Sequence, residues 1–355
     1  MVNNITHPIL IVDENRCKNN IKRMAKKAVS AACEFRPHFK THQSAEIGEW
    51  FRKEGVTAIT VSSVSMAEYF HHNGWNDITI AFPLYPAQLY GLIKLNKSCK
   101  LRLFVNSADD VEMLSKYLIK PFRVYIELDT GYSRSGVYHK DKNLINSIIA
   151  ACDSKENVRF HGFYVHHGGT YKAINKYDIE EIIAPTLSIF KEFKSLYEGV
   201  KFSLGDTPSA SVLTDFVSVD ELTPGNFVFY DWMQTKIGSC SLEDVALFAM
   251  LPVAQISLNK NQAIVHGGAV HLSKDFVETN AIKNYGQVVS ISSTSVNTEP
   301  IFLSSLSQEH GILEGELENI GSSVIICPIH SCLTANLHSY YTTTDGRRIE
   351  KRVLS

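Results

Sequence analysis

Eight short runs of β-forming residues recur between positions 35 and 228, and most are separated by segments long enough for a helix. They fall near 35–39 (FRPHF), 57–61 (TAITV), 77–81 (DITIA), 100–105 (KLRLFV), 122–128 (FRVYIEL), 159–166 (RFHGFYVH), 201–204 (KFSL) and 221–228 (ELTPGNFV). A strand that leads through a helix to the next strand returns to the same end of the sheet, so successive strands run parallel. Repeated eight times, the unit predicts an α/β fold, a (β/α)8 TIM-type barrel, with reactive side chains at the C-terminal ends of the strands. Helix starts are signalled by Ser65 with Glu68 three residues on, and by Ser107 ahead of Asp109 and Asp110.

From about residue 245 the rhythm changes to β-rich runs, including VAQISL, QAIVHGG, GQVVSIS and SSVIICPIH, broken by Gly, Asn and Ser. This predicts a second, mainly β domain. Residues 14–240 are expected to form the barrel and 241–355 the β-rich domain, which the apolar run Ile9–Val12 could return to join. No internal repeat or low-complexity linker interrupts the pattern.

Charge excludes two classes of partner. The chain has 35 Lys and Arg against 37 Asp and Glu, with no long run of one sign to track a phosphate backbone or an anionic membrane. Hydrophobic residues make up 44% but come in short runs, well below the ~18 consecutive apolar residues that cross a bilayer. The polar start Met1–His7 lacks the features of a signal peptide, and seven irregularly spaced cysteines read as reduced thiols. A cytoplasmic protein acting on a small molecule is expected.

The segment Arg36-Pro-His-Phe-Lys40-Thr-His42 sets one lysine among aromatic and imidazole groups at the end of the first predicted strand. A desolvated lysine has its pKa lowered, which leaves the amine neutral and able to form a Schiff base with an aldehyde. A lysine at an arbitrary position is more often an ordinary surface residue. RPHFKTH, however, resembles the cofactor-lysine motif of the D-serine dehydratase and D-threonine aldolase family. That family belongs to the fold-type III group of pyridoxal-phosphate enzymes and shares its barrel with the alanine racemases. Further segments match it in order: Glu127 to Gly136 (ELDTGYSRSG), Gly162 to Tyr171 (GFYVHHGGTY), Gly205 to Ser209 (GDTPS), Pro224 to Asp231 (PGNFVFYD), Gln308 to Gly311 (QEHG) and Pro328 to Cys332 (PIHSC).

The resemblance implies that Lys40 carries pyridoxal 5'-phosphate and serves as the catalytic base. Gly205, Asp206, Thr207 and Ser209 follow the seventh predicted strand, and Gly225 and Asn226 close the eighth. Barrels commonly bind phosphate in these loops through backbone N–H groups. Asp206 would repel phosphate unless its side chain turns away, so its backbone is expected to matter more than its carboxylate. By resemblance Tyr230 donates to the phosphate, Arg134 contacts the phenolic oxygen, His166 packs on the ring face, and Tyr171 joins the cofactor site.

His330 and Cys332 are two apart on a predicted strand, hence on one face. An imidazole and a thiolate suit Zn²⁺, although the pattern alone is a weak signal. In the dehydratase branch of the family the metal pair is His and Cys, whereas the aldolase branch typically has His and Asp, so Cys332 favours dehydration. Two departures point the same way. Gly168-Gly169 stands where aldolases often show Gly-His, and Thr223 stands where racemases usually carry an arginine facing the pyridine nitrogen. The implied activity is a pyridoxal-phosphate- and zinc-dependent lyase converting D-serine to pyruvate and ammonia, in a homodimer. The alternatives are retro-aldol cleavage of β-hydroxy D-amino acids, racemisation, and non-catalytic cofactor binding. Gln308, Glu309 and His310 leave both a structural turn and a direct role open.

Overall fold

The computed structural model describes residues 5–292 and 294–353. The chain forms two compact units. One runs from Arg23 to Gly225; the other comprises the described residues before Arg23 and those from Asn226 onward.

In the first unit the strands Glu34–Phe35, Ile59–Val61, Asp77–Ile80, Lys100–Phe104, Phe122–Asp129, Val158–Val165, Lys201–Leu204 and Glu221–Leu222 pair in parallel. From Ile59–Val61 onward each pairs with the next, and the last returns to the first through Glu221↔Glu34 and Leu222↔Phe35. The remaining seam is stitched by the His38↔Thr60 bridge, with the Phe39 N–H donating to the Thr60 carbonyl at 2.8 Å. The first and eighth strands fall furthest short of the sequence runs. Pro37 and Pro224 carry no N–H for the ladder, so the first strand stops at Phe35 and the eighth at Leu222, after which Asn226–Val228 form a 3₁₀ turn.

Helix caps follow residue chemistry with one correction. Ser107 caps Ala108–Tyr117 in a capping box with Asp110. The helix Val64–His72, however, is capped by Ser63 and not Ser65: Ser63 keeps an extended backbone and its hydroxyl accepts from the Met66 N–H, whereas Ser65 is already inside the first turn. Toward the N-terminal ends of the strands the barrel is filled by charge. Arg102 donates to Glu221 at 2.6 Å and to Glu34 at 2.9 Å, and Arg36 pairs with Asp77 at 2.7 Å. Phe104, Tyr125 and Tyr164 pack together as an apolar layer within the same barrel.

In the second unit six strands, Leu247–Ser257, Gln262–His266, His310–Gly315, Val296–Leu306, Gly286–Ile291 and Ser323–Pro328, pair antiparallel and close on themselves. Ile9–Val12 lies antiparallel to Leu247–Met250 and extends this sheet to Tyr340–Thr343 and Arg348–Glu350. Among the described residues no helix is long and apolar enough to cross a membrane, and none of the seven cysteines is in a disulfide.

Candidate active site

Lys40 stands two residues past the bridge that closes the barrel, at the C-terminal end of the first strand. Its neighbour Phe39 is fully buried among Phe51, Phe70 and Trp75, with ring centroids 4.9, 4.9 and 5.1 Å away, so the backbone carrying the lysine is anchored from behind. The Lys40 N–H reaches the His38 ring at 3.3 Å. Gly225 lies so close that a Cβ there would meet the His38 carbonyl at 2.9 Å and Thr41 Oγ1 at 3.1 Å. His166 directly follows the sixth strand, which ends at Val165. Burial, then the charges of Lys40 and Arg134, push its pKa down to about 3, and the same kinds of cause hold His38 well below the usual range. Lys40 is thus accompanied by two neutral imidazoles.

The loop after the seventh strand is ordered by Asp206. Its carboxylate accepts from the Ser209 N–H at 2.8 Å and from Thr170 Oγ1 at 2.9 Å, capping the short helix Thr207–Val212. The Thr207 N–H donates to the Tyr171 hydroxyl at 3.3 Å. Ser209 Oγ is buried beside this loop with no hydrogen-bond partner among the described residues. Gly205 is required sterically, since a Cβ would strike the Tyr164 hydroxyl at 2.4 Å. That hydroxyl is bonded to Thr223 Oγ1 at 3.0 Å.

Arg134 sits on the loop after the fifth strand, half-exposed, 3.7 Å from Glu127. Burial raises the Glu127 carboxyl, opposed by Ser135 and Arg134. Gly136 takes a φ of +97°, and a Cβ there would meet the Glu127 carbonyl oxygen at 2.7 Å, a position only glycine fills without strain.

In the second unit the expectation that His330 and Cys332 share a strand is corrected. The strand ends at Pro328, His330 is the N-cap of the helix Ser331–Asn336, and Cys332 lies in its first turn. The strand-to-helix turn still brings the two side chains into hydrogen-bond contact. Burial opposes the charged imidazole, but the bonds to Asp275 and Cys332 outweigh it and lift the His330 pKa to about 11. A metal ion would displace that proton. Asn226 donates to Asp231 at 2.6 Å and approaches Cys332 Sγ at 3.6 Å, while its buried Oδ1 lacks a partner among the described residues. Asp231 also accepts from the N–H groups of Ser331 and Gln234, each at 2.9 Å. Tyr230, buried, holds a φ of +48° between these groups in sequence.

Sequence reasoning gave no role to Asp231 or Asp275. Asp231 carries a local signal, an N-cap three residues ahead of Gln234; Asp275, 55 residues from His330, carries none. Glu309, whose role the sequence left open, faces His266 at 3.6 Å and His271 at 3.8 Å. The His271 Nδ1 accepts from the Gly268 N–H, which leaves Nε2 toward the carboxylate. The ligand atoms of His266, His271 and Glu309 lie within 4.8 Å of one another.

Residues 12–231 match the family model described as the alanine racemase N-terminal domain. The chain belongs to that family. Residues 246–344 match a second model, the putative serine dehydratase domain. Over 96% of the chain it is 28% identical to a D-serine dehydratase of Dictyostelium discoideum, covering 93% of that protein. The solved structure of D-threo-3-hydroxyaspartate dehydratase from Delftia sp. HT23 superposes with a TM-score of 0.86 at 28% identity, covering 98% of both chains. A cysteine-to-alanine variant of a D-threo-3-hydroxyaspartate dehydratase, solved in the metal-free form, superposes at 0.87, again at 28% identity and 98% of both chains.

Proposed function

We propose that this protein is a pyridoxal-phosphate- and divalent-cation-dependent lyase that removes water from D-serine, giving pyruvate and ammonia. The observation that carries the reading is the His330–Cys332 pair, an imidazole and a thiol set together at a strand-to-helix turn. The names of the two dehydratases described above support the reading, while other relatives are named as aldolases of D-amino acids, which belong to the same lyase class.

The residues fit both groups. The buried, unbonded Ser209 hydroxyl and the close-approach glycines 205 and 225 suit a phosphate cradle, and a nitrogen and a sulfur donor suit Zn²⁺. Bound pyridoxal phosphate withdraws electrons from the α-carbon, and a divalent cation acts as a Lewis acid for a β-hydroxyl leaving group. Lys40 would hold the cofactor through its side-chain amine, and the same Nζ would take the α-proton of the substrate. The neutral imidazole of His166 packs on the ring face without protonating the base. Arg134, held by Glu127, meets the phenolic oxygen, and Tyr171 braces the Thr207 loop. Gly205, Asp206, Thr207 and Ser209, with Gly225, Asn226 and Tyr230, hold the phosphate, and the Asp206 carboxylate serves its own loop. His330 and Cys332 hold the cation, zinc in this reading. The protein acts as a cytoplasmic homodimer.

Product analysis tests the proposal. D-serine, and D-threonine more slowly, should give ammonia with pyruvate or 2-oxobutyrate, and the L-isomers should react poorly. Glycine and acetaldehyde as main products from D-threonine would replace it with the aldolase reading. Borohydride reduction and peptide mapping should place the pyridoxyl label on Lys40; a label on another lysine removes the assignment.

A further inference from the structure

We propose that Asp275 is a positioning residue for the metal centre, holding the His330 imidazole so that one ring nitrogen is left for the cation beside Cys332. The inference rests on the reading of His330 and Cys332 as the metal pair. Asp275 Oδ2 lies 2.9 Å from His330 Nδ1. The donor groups of Asp275, His330 and Cys332 are not among the sets of three that gather within 4.8 Å of one another in the described residues. The carboxylate therefore backs the imidazole and does not join the pair as a third ligand. A carboxylate on one ring nitrogen fixes the tautomer and strengthens the other nitrogen as a donor.

The carboxylate is itself held in place. It follows the short helix Ala269–Leu272, whose carbonyls at Leu272 and His271 are bonded by Thr334 Oγ1 at 2.9 Å and His338 Nε2 at 3.0 Å. Thr334 lies in the helix that His330 caps, and His338 follows soon after it. The two segments are thus clamped at more than one point. Ser273 then takes a φ of +72° with ψ at 179°, a backbone region that suits glycine almost alone. Its hydroxyl accepts from the Asp275 N–H at 3.3 Å. Strain of this kind at a serine persists only where the surroundings demand it, and here it turns the chain so that Asp275 faces His330.

The test is Zn²⁺ affinity of the full chain, measured by competition with a chromophoric chelator, for the wild type, Asp275→Ala, Asp275→Asn and Cys332→Ala. Asp275→Ala should weaken binding by about 10–100-fold. Asp275→Asn, whose amide oxygen still accepts from Nδ1–H, should recover much of that loss. In Co²⁺-substituted Asp275→Ala the sulfur-to-metal charge-transfer band should persist, since Cys332 is untouched. Unchanged affinity in Asp275→Ala, beside clear loss in Cys332→Ala, overturns this inference while the metal pair stands. Loss in Asp275→Asn as complete as in Cys332→Ala would make Asp275 a ligand and overturn it too. A wild type that binds no Zn²⁺ overturns both readings.

Discussion

Replacing Asp206 separates the shape of this side chain from its charge. Its Oδ1 accepts the Ser209 N–H and the Thr170 hydroxyl, whereas Oδ2 is buried with no partner among the described residues. Thr170 can fall back on the His167 carbonyl, 2.9 Å away, but the Ser209 N–H has no other acceptor among the described residues. Asp206→Ala loses the helix cap and with it strands the buried Ser209 N–H. The expected loss is about 1–3 kcal/mol. Asp206→Asn keeps the accepting oxygen, and Asn caps about as well as Asp, so its stability should stay within about 1 kcal/mol. Burial raises the Asp206 carboxyl despite the bonds from Ser209 and Thr170. The folded state therefore holds the proton more tightly than the unfolded chain. The aspartate's contribution is greatest at acid pH and falls as pH rises through the folded value, so any advantage of asparagine belongs at neutral pH. Urea unfolding, with hydrogen exchange of the 207–212 peptide as the local readout, measures both variants. If asparagine were as damaging as alanine, the carboxylate charge would be structural and the argument would fail.

Gly225→Ala should place a methyl group 2.9 Å from the His38 carbonyl and push back the backbone that carries Lys40, costing about 1–3 kcal/mol as an overpacked contact. Cofactor absorbance after reconstitution should drop with it, and full occupancy at wild-type stability would show that the approach is loose. Acid should destabilise the fold before its carboxylates titrate. Burial, first among the causes, lowers His161 and His166 to about 3 and His338 to about 4 from an ordinary 6.5. Below pH 6.5 the unfolded chain takes up protons that the folded one refuses, so each imidazole removes about 1.4 kcal/mol per pH unit until its folded value is reached. A flat unfolding midpoint between pH 6.5 and 5 would contradict this, and His338→Asn should lessen the slope.

Local chemistry in the sequence determined the elements and their order. The strand–helix alternation required a parallel barrel, Ser107 marked its helix, and Lys40 could be located at a strand end because the run before it was β-forming. Motif matches carried the candidate residues as far as the lysine loop, the Gly205–Ser209 turn and the His330–Cys332 pair. Strand lengths were less legible, since Pro37 and Pro224 end ladders that the side-chain pattern alone would continue. Placing His330 and Cys332 on a strand failed for a similar reason: alternation of side chains says nothing of where a strand gives way to a helix. What only the tertiary structure decided is which distant groups meet. Asp275 reaches His330, Asp231 reaches Ser331, and Gly225 reaches His38. These meetings are set by packing of whole elements, a many-body outcome that no single segment encodes, whereas a strand, a cap or a turn depends on a few neighbouring residues and can be read from them.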